Sequence, residues 1–527
     1  MKPSSEKTKD PDLFRVFFIS LGCDKNLVDS EQMIALLLER GYVMTFDEDE
    51  ADLIVINSCC FIGDAKEESI NTIIEMGEKK KDGRLKGLIV CGCLAQRYAE
   101  DIRESMPEVD AIVGTTSIDM IADAADKVMQ RKNRPFSRPG SDDSILDEHV
   151  QNDPVRDNII QGKSAGNDQS NHNTADSEHI YDDQTDDDQT DDDQAGFYIN
   201  SIDRYVYMKG RREITGNVCS ASLKIADGCN KNCSYCIIPK VRGHYRSVPM
   251  EDLLADAGQL AQKGVKELIL IAQETTVYGT DLYGRKALPE LLHKLCAIEG
   301  IEWIRLMYCY PEEITDELIE CIRTESKICH YLDLPIQHCS DRILKLMGRK
   351  TDKDGLVNII QKIREAIPDI ALRTTLISGF PTETEQEHAE LKEFVKKIGF
   401  DRLGCFTYSK EEGTAAALMD GQIHHSTKKR RQREIMELQQ QIAFEKEAGQ
   451  KDRKVRVIVE GRITEQDNDD HGIGTGEDVY VCRSYRDAPD IDGYVFVRTG
   501  RKHIMSGDII EALITGSHGY DLTAETV

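Results

Sequence analysis

The run Cys229-Asn-Lys-Asn-Cys233-Ser-Tyr-Cys236 sets three thiols at Cys-x3-Cys-x2-Cys spacing. Thiolates are soft ligands suited to zinc and to iron–sulfur clusters. A structural zinc site takes four protein ligands, and this run has three, with no histidine at a fourth ligand spacing. A 4Fe–4S cluster held by three thiolates instead leaves one iron open to a substrate or cofactor. The plainer alternatives for the run are a zinc site or core cysteines. Three further cysteines each end an apolar run: Phe18-Ile19-Ser20-Leu21-Gly22-Cys23, Val55-Ile56-Asn57-Ser58-Cys59 and Val90-Cys91-Gly92-Cys93. If those runs are parallel strands of one sheet, their carboxyl ends share an edge, which is where open α/β sheets bind ligands. Cys23, Cys59 and Cys93 then converge although far apart in the chain, again as three thiolates. A single such cysteine would be ordinary core filler, a common fate for this residue; three at equivalent strand ends are not.

Cys60 and Cys91 adjoin proposed ligands. Neighbours on a strand point to opposite faces, which argues against both members of a pair ligating one metal; strand-end phase, together with the family resemblance given below, selects Cys59 and Cys93. Cys219, Cys296, Cys309, Cys321, Cys329, Cys339, Cys405 and Cys482 lack ligand spacing and read as structural. Sixteen cysteines in a chain whose first residues, Met1–Pro11, carry no apolar signal point to metal binding in a reducing cytoplasm rather than to a disulfide framework.

The elements that must carry these residues are of the α/β class. Strands are expected at Phe14–Leu21, Leu53–Asn57, Gly87–Val90 and Ala111–Gly114, with helices at Val28–Arg40, Asp64–Lys79, Ala95–Ser105 and Ile118–Val128 between them. That alternation makes residues 12–134 a parallel sheet covered on both faces. From Ser222 it resumes, with strands at Ser222–Ala226, Val265–Ala272, Trp303–Cys309, Tyr331–Ile336, Ala371–Ser378 and Asp401–Thr407. Six such units over residues 215–449 suggest a barrel or partial barrel, with its chemistry at the strand C-termini, and the Cys229 run follows its first strand. A charged helix, Lys428–Gly449, closes this part. Residues 450–520 turn to short β-rich runs with Gly and Asp turns, expected as a small antiparallel β-barrel.

Between the two α/β parts, residues 135–200 have little to bury and are expected to be an acidic, disordered linker. From Ser141 to Ala195 there are 17 Asp and Glu against Arg156 and Lys163. The full chain of 527 residues carries −28, so −13 remains outside that stretch. An acidic protein of this kind is poorly suited to broad phosphate-backbone contact and suits a cationic partner. No apolar run approaches the ~20 residues that span a bilayer, so no membrane partner is expected.

The Cys229 run, with Tyr235 just before its third cysteine, resembles the signature of the radical S-adenosylmethionine (SAM) enzymes. The resemblance implies that the open iron chelates SAM, that Tyr235 lies against its adenine, that Glu274 at the end of the second barrel strand binds its amine, and that the turn at Gly379 lies near it. Two tri-cysteine sites, a βα barrel and a terminal β-barrel together resemble the radical SAM methylthiotransferases. That family implies a flavodoxin-like N-terminal domain, a partial (β/α) barrel radical SAM domain and a TRAM barrel. It also implies two 4Fe–4S clusters, one on Cys229, Cys233 and Cys236 and an auxiliary one on Cys23, Cys59 and Cys93. The stretches Ser20–Glu31, Tyr408–Thr414 and Cys482–Gly493 are similar to the ribosomal-protein (RimO) branch, whose reaction inserts a methylthio group at the β-carbon of an aspartate in small-subunit ribosomal protein S-twelve. A basic ribosomal-protein substrate and a flavodoxin or ferredoxin type electron donor are the partners implied. Asp24, Ser58 and Cys60 depart from the family pattern, and Cys60 leaves the choice between it and Cys59 open. The alternatives are a tRNA adenosine methylthiotransferase and a non-catalytic iron–sulfur scaffold. Residues 451–527 carry ten Lys and Arg against fifteen Asp and Glu; an acidic terminal barrel makes tRNA the less suitable partner.

Overall fold

The computed structural model describes residues 13–81, 83, 85–130, 196–216, 219–463, 478–500 and 503–527. The first sheet is wholly parallel. Its strands are β1 (Arg15–Ser20), β2 (Val43–Met44), β3 (Leu53–Ser58), β4 (Gly87–Gly92), β5 (Ala111–Val113) and β6 (Phe197–Tyr198), in the order β2-β1-β3-β4-β5-β6. The order 2-1-3-4-5 is that of flavodoxin-like sheets. Both faces of β3 and β4 are buried, which is why these strands read as unbroken apolar runs. Val55, Ile89 and Cys91 pack under Met33, Leu37 and Ile121 on one face; Ile54, Ile56, Leu88 and Val90 pack under Ile73 and Ile102 on the other.

Three details differ from the sequence reading. The sheet takes a sixth strand, β6, from a segment assigned to the acidic linker, because Ile112 and Val113 are in register with Phe197 and Tyr198. The linker's expected end at 200 therefore moves back; the rest of that assignment, 135–195, lies outside the described residues. The helix expected over 95–105 is two, Cys93–Arg97 and Ala99–Ser105, broken at Tyr98. The short strand β2, exposed and only two residues long, had no readable pattern.

The second sheet contains β7 (Ser220–Lys224), β10 (Glu267–Ile271), β11 (Trp303–Leu306), β12 (Ile328–Asp333), β13 (Ala371–Ser378) and β14 (Arg402–Thr407). They are parallel and sequential, β14-β13-β12-β11-β10-β7, with β7 and β14 as free ends: a partial (β/α) barrel. Between β7 and β10 a small antiparallel pair, β8 (Ala226–Asp227) and β9 (Arg246–Ser247), brackets the Cys229 run. Period-2 alternation sorts the side chains. Leu268, Leu270, Ile304 and Leu306 face the covering helices, while Ile269, Ile271, Trp303 and Met307 face inward. The helix His425–Ala448 lies on β14 and is tied to it by Gln432 Nε2 donating to the Cys405 carbonyl at 2.7 Å.

Strands β15 (Lys454–Arg462), β16 (Asp478–Ser484), β17 (Val495–Thr499), β18 (Ile509–His518) and β19 (Asp521–Thr526) close a barrel in the order β15-β16-β17-β19-β18. It is antiparallel as expected except where β17 meets β19 in parallel to close it. The expected boundary at 520 cuts off β19, whose Leu522 and Ala524 belong to the barrel core. All three parts fall in one compact unit. The inward face of the partial barrel shares a single core with Val28 of the first domain and Ile458 and Ala488 of the terminal barrel. No helix among the described residues is long and apolar enough to cross a membrane.

Candidate metal and cofactor site

The Cys229 run is held by backbone bonds on both sides. Cys229 N–H donates to the Gly243 carbonyl at 3.1 Å, Ser234 N–H to Met347 at 2.9 Å, and Cys236 N–H to Cys233 at 3.0 Å. Cys229 and Cys233 are buried and Cys236 half-buried. Burial pushes the Cys229 thiol up to about 11 and the Cys236 thiol up to about 12. Such thiols stay protonated unless a cation takes the proton's place, and metal binding does this. Lys231 N–H lies 3.4 Å from the Cys229 sulfur and the Tyr310 hydroxyl 3.6 Å from the Cys233 sulfur.

Around this run stand buried polar atoms with no hydrogen-bond partner among the described residues: Glu274 Oε2, Gln273 Oε1, and Nε and Nη1 of Arg349. Glu274 Oε1 accepts from Thr276 at 2.5 Å, and its other oxygen has only the Lys231 ammonium at 3.4 Å. Burial pushes the Glu274 carboxyl up to about 7 against the opposing pull of Thr276 and Lys231. Arg349 stacks 4.2 Å from the Tyr310 ring centre and gives Nη2 to Glu312 at 3.0 Å. A carboxylate oxygen with no hydrogen bond and guanidinium N–H groups with none, beside one thiol run, suit a ligand that carries both an ammonium and a carboxylate, as the methionine part of SAM does. Tyr235 packs in one apolar cluster with Phe380 and Ile377, which joins the cysteine run to the turn at Gly379. The Gly379 N–H itself donates to Glu383 at 2.6 Å, and a side chain there would strike Lys428, 2.4 Å away.

The second trio is built by a repeated device. Gly22 (φ +93°) and Gly92 (φ +90°) each turn the chain out of a strand, and Cys23 and Cys93 follow at the starts of helices. Only glycine takes that backbone without strain. A side chain on Gly22 would also collide with Cys59, at 2.7 Å from its Cβ and 2.9 Å from its sulfur. Cys59 therefore lies against the turn that carries Cys23. Its backbone is clamped by Ser69, whose hydroxyl accepts from Cys59 N–H and donates to the Cys59 carbonyl, both at 2.9 Å. Asn26 gathers the strand ends: its Nδ2 donates to the carbonyls of Leu21 (2.9 Å) and Ser58 (3.1 Å), and its Oδ1 lies 3.7 Å from the Cys93 sulfur. The neighbouring cysteines are engaged elsewhere. Cys91 donates to the Ile56 carbonyl inside the opposite core, and Cys60 donates to the Cys93 carbonyl at 3.2 Å. Among the described residues no three His, Cys, Asp or Glu side chains crowd closely enough to hold a single metal ion. A four-iron cube needs its thiols farther apart than one ion does.

Buried charges join the two trios. Arg242, six residues past Cys236, donates to Asn26 Oδ1 at 2.5 Å, Asp29 at 2.8 Å and Asp227 at 3.1 Å. Lys224 pairs with Asp29, and Gln273 donates to Asp227 at 3.0 Å. Burial would raise the Asp227 carboxyl, but Arg242 and Lys224 hold it well below the usual carboxylate range. Further ties are Arg97–Glu411 at 2.9 Å, Arg212–Glu31 at 2.5 Å and the Gly63 N–H to Ser409 at 3.1 Å. Glu411, within the Tyr408–Thr414 stretch, thus fastens the segment after β14 to the first domain. Likewise the Cys482–Gly493 stretch docks the terminal barrel, with Asp487 on Arg402 at 2.6 Å and Arg486 on Asp401 at 2.9 Å. Lys25, Arg242, Tyr310 and Arg349 escaped the sequence reading. None has a spacing signal, and only Lys25 and Arg242, near cysteines, offered a positional hint.

Three family models match the chain: an uncharacterized protein family, UPF0004, over residues 15–114; the radical SAM superfamily over 223–395; and the TRAM domain over 453–527. The ribosomal protein uS12 methylthiotransferase RimO of Lachnoclostridium phytofermentans is 52% identical over 97% of this chain and 100% of its own length. The protein of that name from Acetivibrio thermocellus is 42% identical over 97% of this chain and 98% of its own. A solved structure, the radical SAM methyltransferase TsrM of Kitasatospora setae, aligns over 75% of this chain and 72% of that one at 10% identity, TM-score 0.49, a likeness too distant to bear on function.

Proposed function

The chain belongs to the RimO family of ribosomal protein uS12 methylthiotransferases, and on that footing we propose that it inserts a methylthio group at the β-carbon of an aspartate in uS12. What supports the reading above all is the joining of two tri-cysteine sites, at the carboxyl edges of two sheets, through Asn26 and Arg242. Cys229, Cys233 and Cys236 hold the radical-generating 4Fe–4S cluster; Cys23, Cys59 and Cys93 hold the auxiliary one. Each set supplies three ligands and leaves one iron open. Glu274 takes the ammonium of SAM, Tyr235 lies against the adenine, and the Gly379 turn borders the site. When bound, these groups supply radical chemistry at a carbon whose C–H no side-chain base can deprotonate, and the sulfur to be transferred.

The chain's own residues bind and exclude. Helix Asp24–Glu39 starts directly after Cys23, which stands at its N-cap and is held there by the helix. Lys224, Arg242, Asp29 and Asp227 lock one edge against the other. A flavodoxin or ferredoxin type protein delivers electrons, the acidic surface favours a basic ribosomal-protein substrate over tRNA, and the reaction takes place in the cytoplasm. Anaerobic turnover of the reconstituted enzyme with SAM and reductant, with uS12 in one vessel and tRNA in another, tests this by mass spectrometry. A methylthio adduct on a uS12 aspartate is expected; an adduct on tRNA alone overturns the reading.

A further inference from the structure

Lys25 is buried to 5% exposure, yet no carboxylate lies within 4.0 Å of its ammonium and no hydrogen-bond acceptor is within reach among the described residues. Its one close contact is the face of Tyr308, with the ammonium 3.0 Å from the ring centre. The nearby acids are engaged elsewhere. Asp24 accepts from the Tyr308 hydroxyl at 3.3 Å; Asp333 accepts from Arg373 at 2.8 Å and from the Tyr308 N–H at 3.1 Å. Removing an ammonium from water is costly unless an anion or acceptor replaces the water, and a cation–π contact recovers only part of that cost. A ring face also leaves at least two of the three N–H groups aimed elsewhere.

The place of this ammonium gives it a role. Lys25 lies two residues beyond Cys23, and Tyr308 lies two residues past the end of β11. It thus occupies the seam between the carboxyl edge of the first sheet and the mouth of the partial barrel. Tyr308 holds a left-handed backbone (φ +58°), a conformation a non-glycine residue keeps only where its surroundings impose it. Resting on the uS12 reading above, we propose that Lys25 binds the side-chain carboxylate of the target aspartate. An ion pair there fixes the carboxyl end of the side chain and leaves the β-carbon, one bond away, facing the space between the cysteine trios. Asparagine has the same shape without the charge, so Lys25 is a specificity-determining residue for aspartate.

The test uses the full-length, cluster-loaded enzyme and two uS12 loop peptides, one with the target aspartate and one with asparagine there. Affinities are measured anaerobically by fluorescence anisotropy. A charge-assisted hydrogen bond predicts about tenfold or greater preference for aspartate in the wild type. Lys25→Met should reduce the preference to within about twofold, and Lys25→Arg should restore most of it. Iron content and electron paramagnetic resonance of each variant are recorded alongside. An unchanged preference in Lys25→Met overturns the proposal, and doubly so if its cluster signal shifts, because Lys25 then serves the Cys23 cluster. If Lys25→Met fails to load, the wild type decides: equal affinity for the two peptides overturns the proposal. A wild type that binds neither peptide and modifies tRNA removes the uS12 reading itself, an outcome distinct from the others.

Discussion

Gly22 and Gly92 show how single residues decide the auxiliary site. Each supplies a positive φ at the exit of a strand and places a cysteine on the next residue, and Gly22 also leaves the room Cys59 occupies, since a Cβ there would stand 2.7 Å from the Cys59 Cβ. Gly22→Ala should cost about 1–3 kcal/mol in backbone strain and displace Cys59, so bound iron should fall by about half. Colorimetric iron analysis on anaerobically reconstituted protein reads this directly. The same assay separates neighbours. Cys59→Ala should lose the auxiliary cluster and Cys60→Ala should keep it, since the Cys60 thiol is directed to the Cys93 carbonyl. Both tri-cysteine groupings could be proposed from sequence because ligand chemistry restricts residue type, and strand ends restrict position. Lys25 and Arg349 were not legible: a lysine or arginine carries no mark of burial, and only the fold reveals that Lys25 meets a ring face rather than an anion and that Arg349 keeps Nε and Nη1 unsatisfied.

Strand ends are the unit of organisation at the next scale. β10 ends just before Gln273 and Glu274, whose orphaned oxygens lie by the cysteine run. Glu274→Gln should weaken SAM binding by about ten- to a hundredfold, the value of one charge-assisted hydrogen bond, as read by equilibrium dialysis. With the carboxyl pushed up to about 7, it is ionised above that pH and neutral below. Wild-type affinity should therefore rise between pH 6 and 8, and the Gln variant should show a flatter profile. The long parallel strands were readable from apolar runs of five to eight residues. β2, β6 and the parallel meeting of β17 with β19 were not, because short strands are specified by partners far away in the chain rather than by their own composition. β6 finds its partner across the whole acidic stretch.

At the scale of the molecule, the partial barrel is filled from both ends. Its inner face shares a core with Val28 and with Ile458 and Ala488, and a buried triad lies within it: Glu267 accepts from Arg305 at 2.7 Å and from Arg483 of the terminal barrel at 2.6 Å. Burial would raise the Glu267 carboxyl, but the two guanidiniums outweigh it and hold it at about 2. A depressed carboxyl contributes stability that is complete above its ordinary value of about 4.3 and is lost as pH falls toward about 2. The chain's one tryptophan, Trp303, sits in this core. Its emission should therefore shift red across that acid window as the barrel loosens. Glu267→Gln leaves the buried Arg305 guanidinium without its anion and Arg483 with Glu460 alone, and should destabilise the assembly by about 3–5 kcal/mol, seen as a lower melting temperature and earlier proteolytic release of the terminal barrel.

That shared core also sets a schedule for synthesis. Ile269, Ile271, Trp303 and Met307 leave the ribosome roughly 200 residues before Ile458 and Ala488, which cover them. At about 5–20 residues per second, the end of the concave apolar face that the terminal barrel covers stays open for about 10–40 seconds in every nascent chain. Throughout that interval the growing polypeptide shows the kind of apolar surface that aggregates, and the arrival of its last domain closes it.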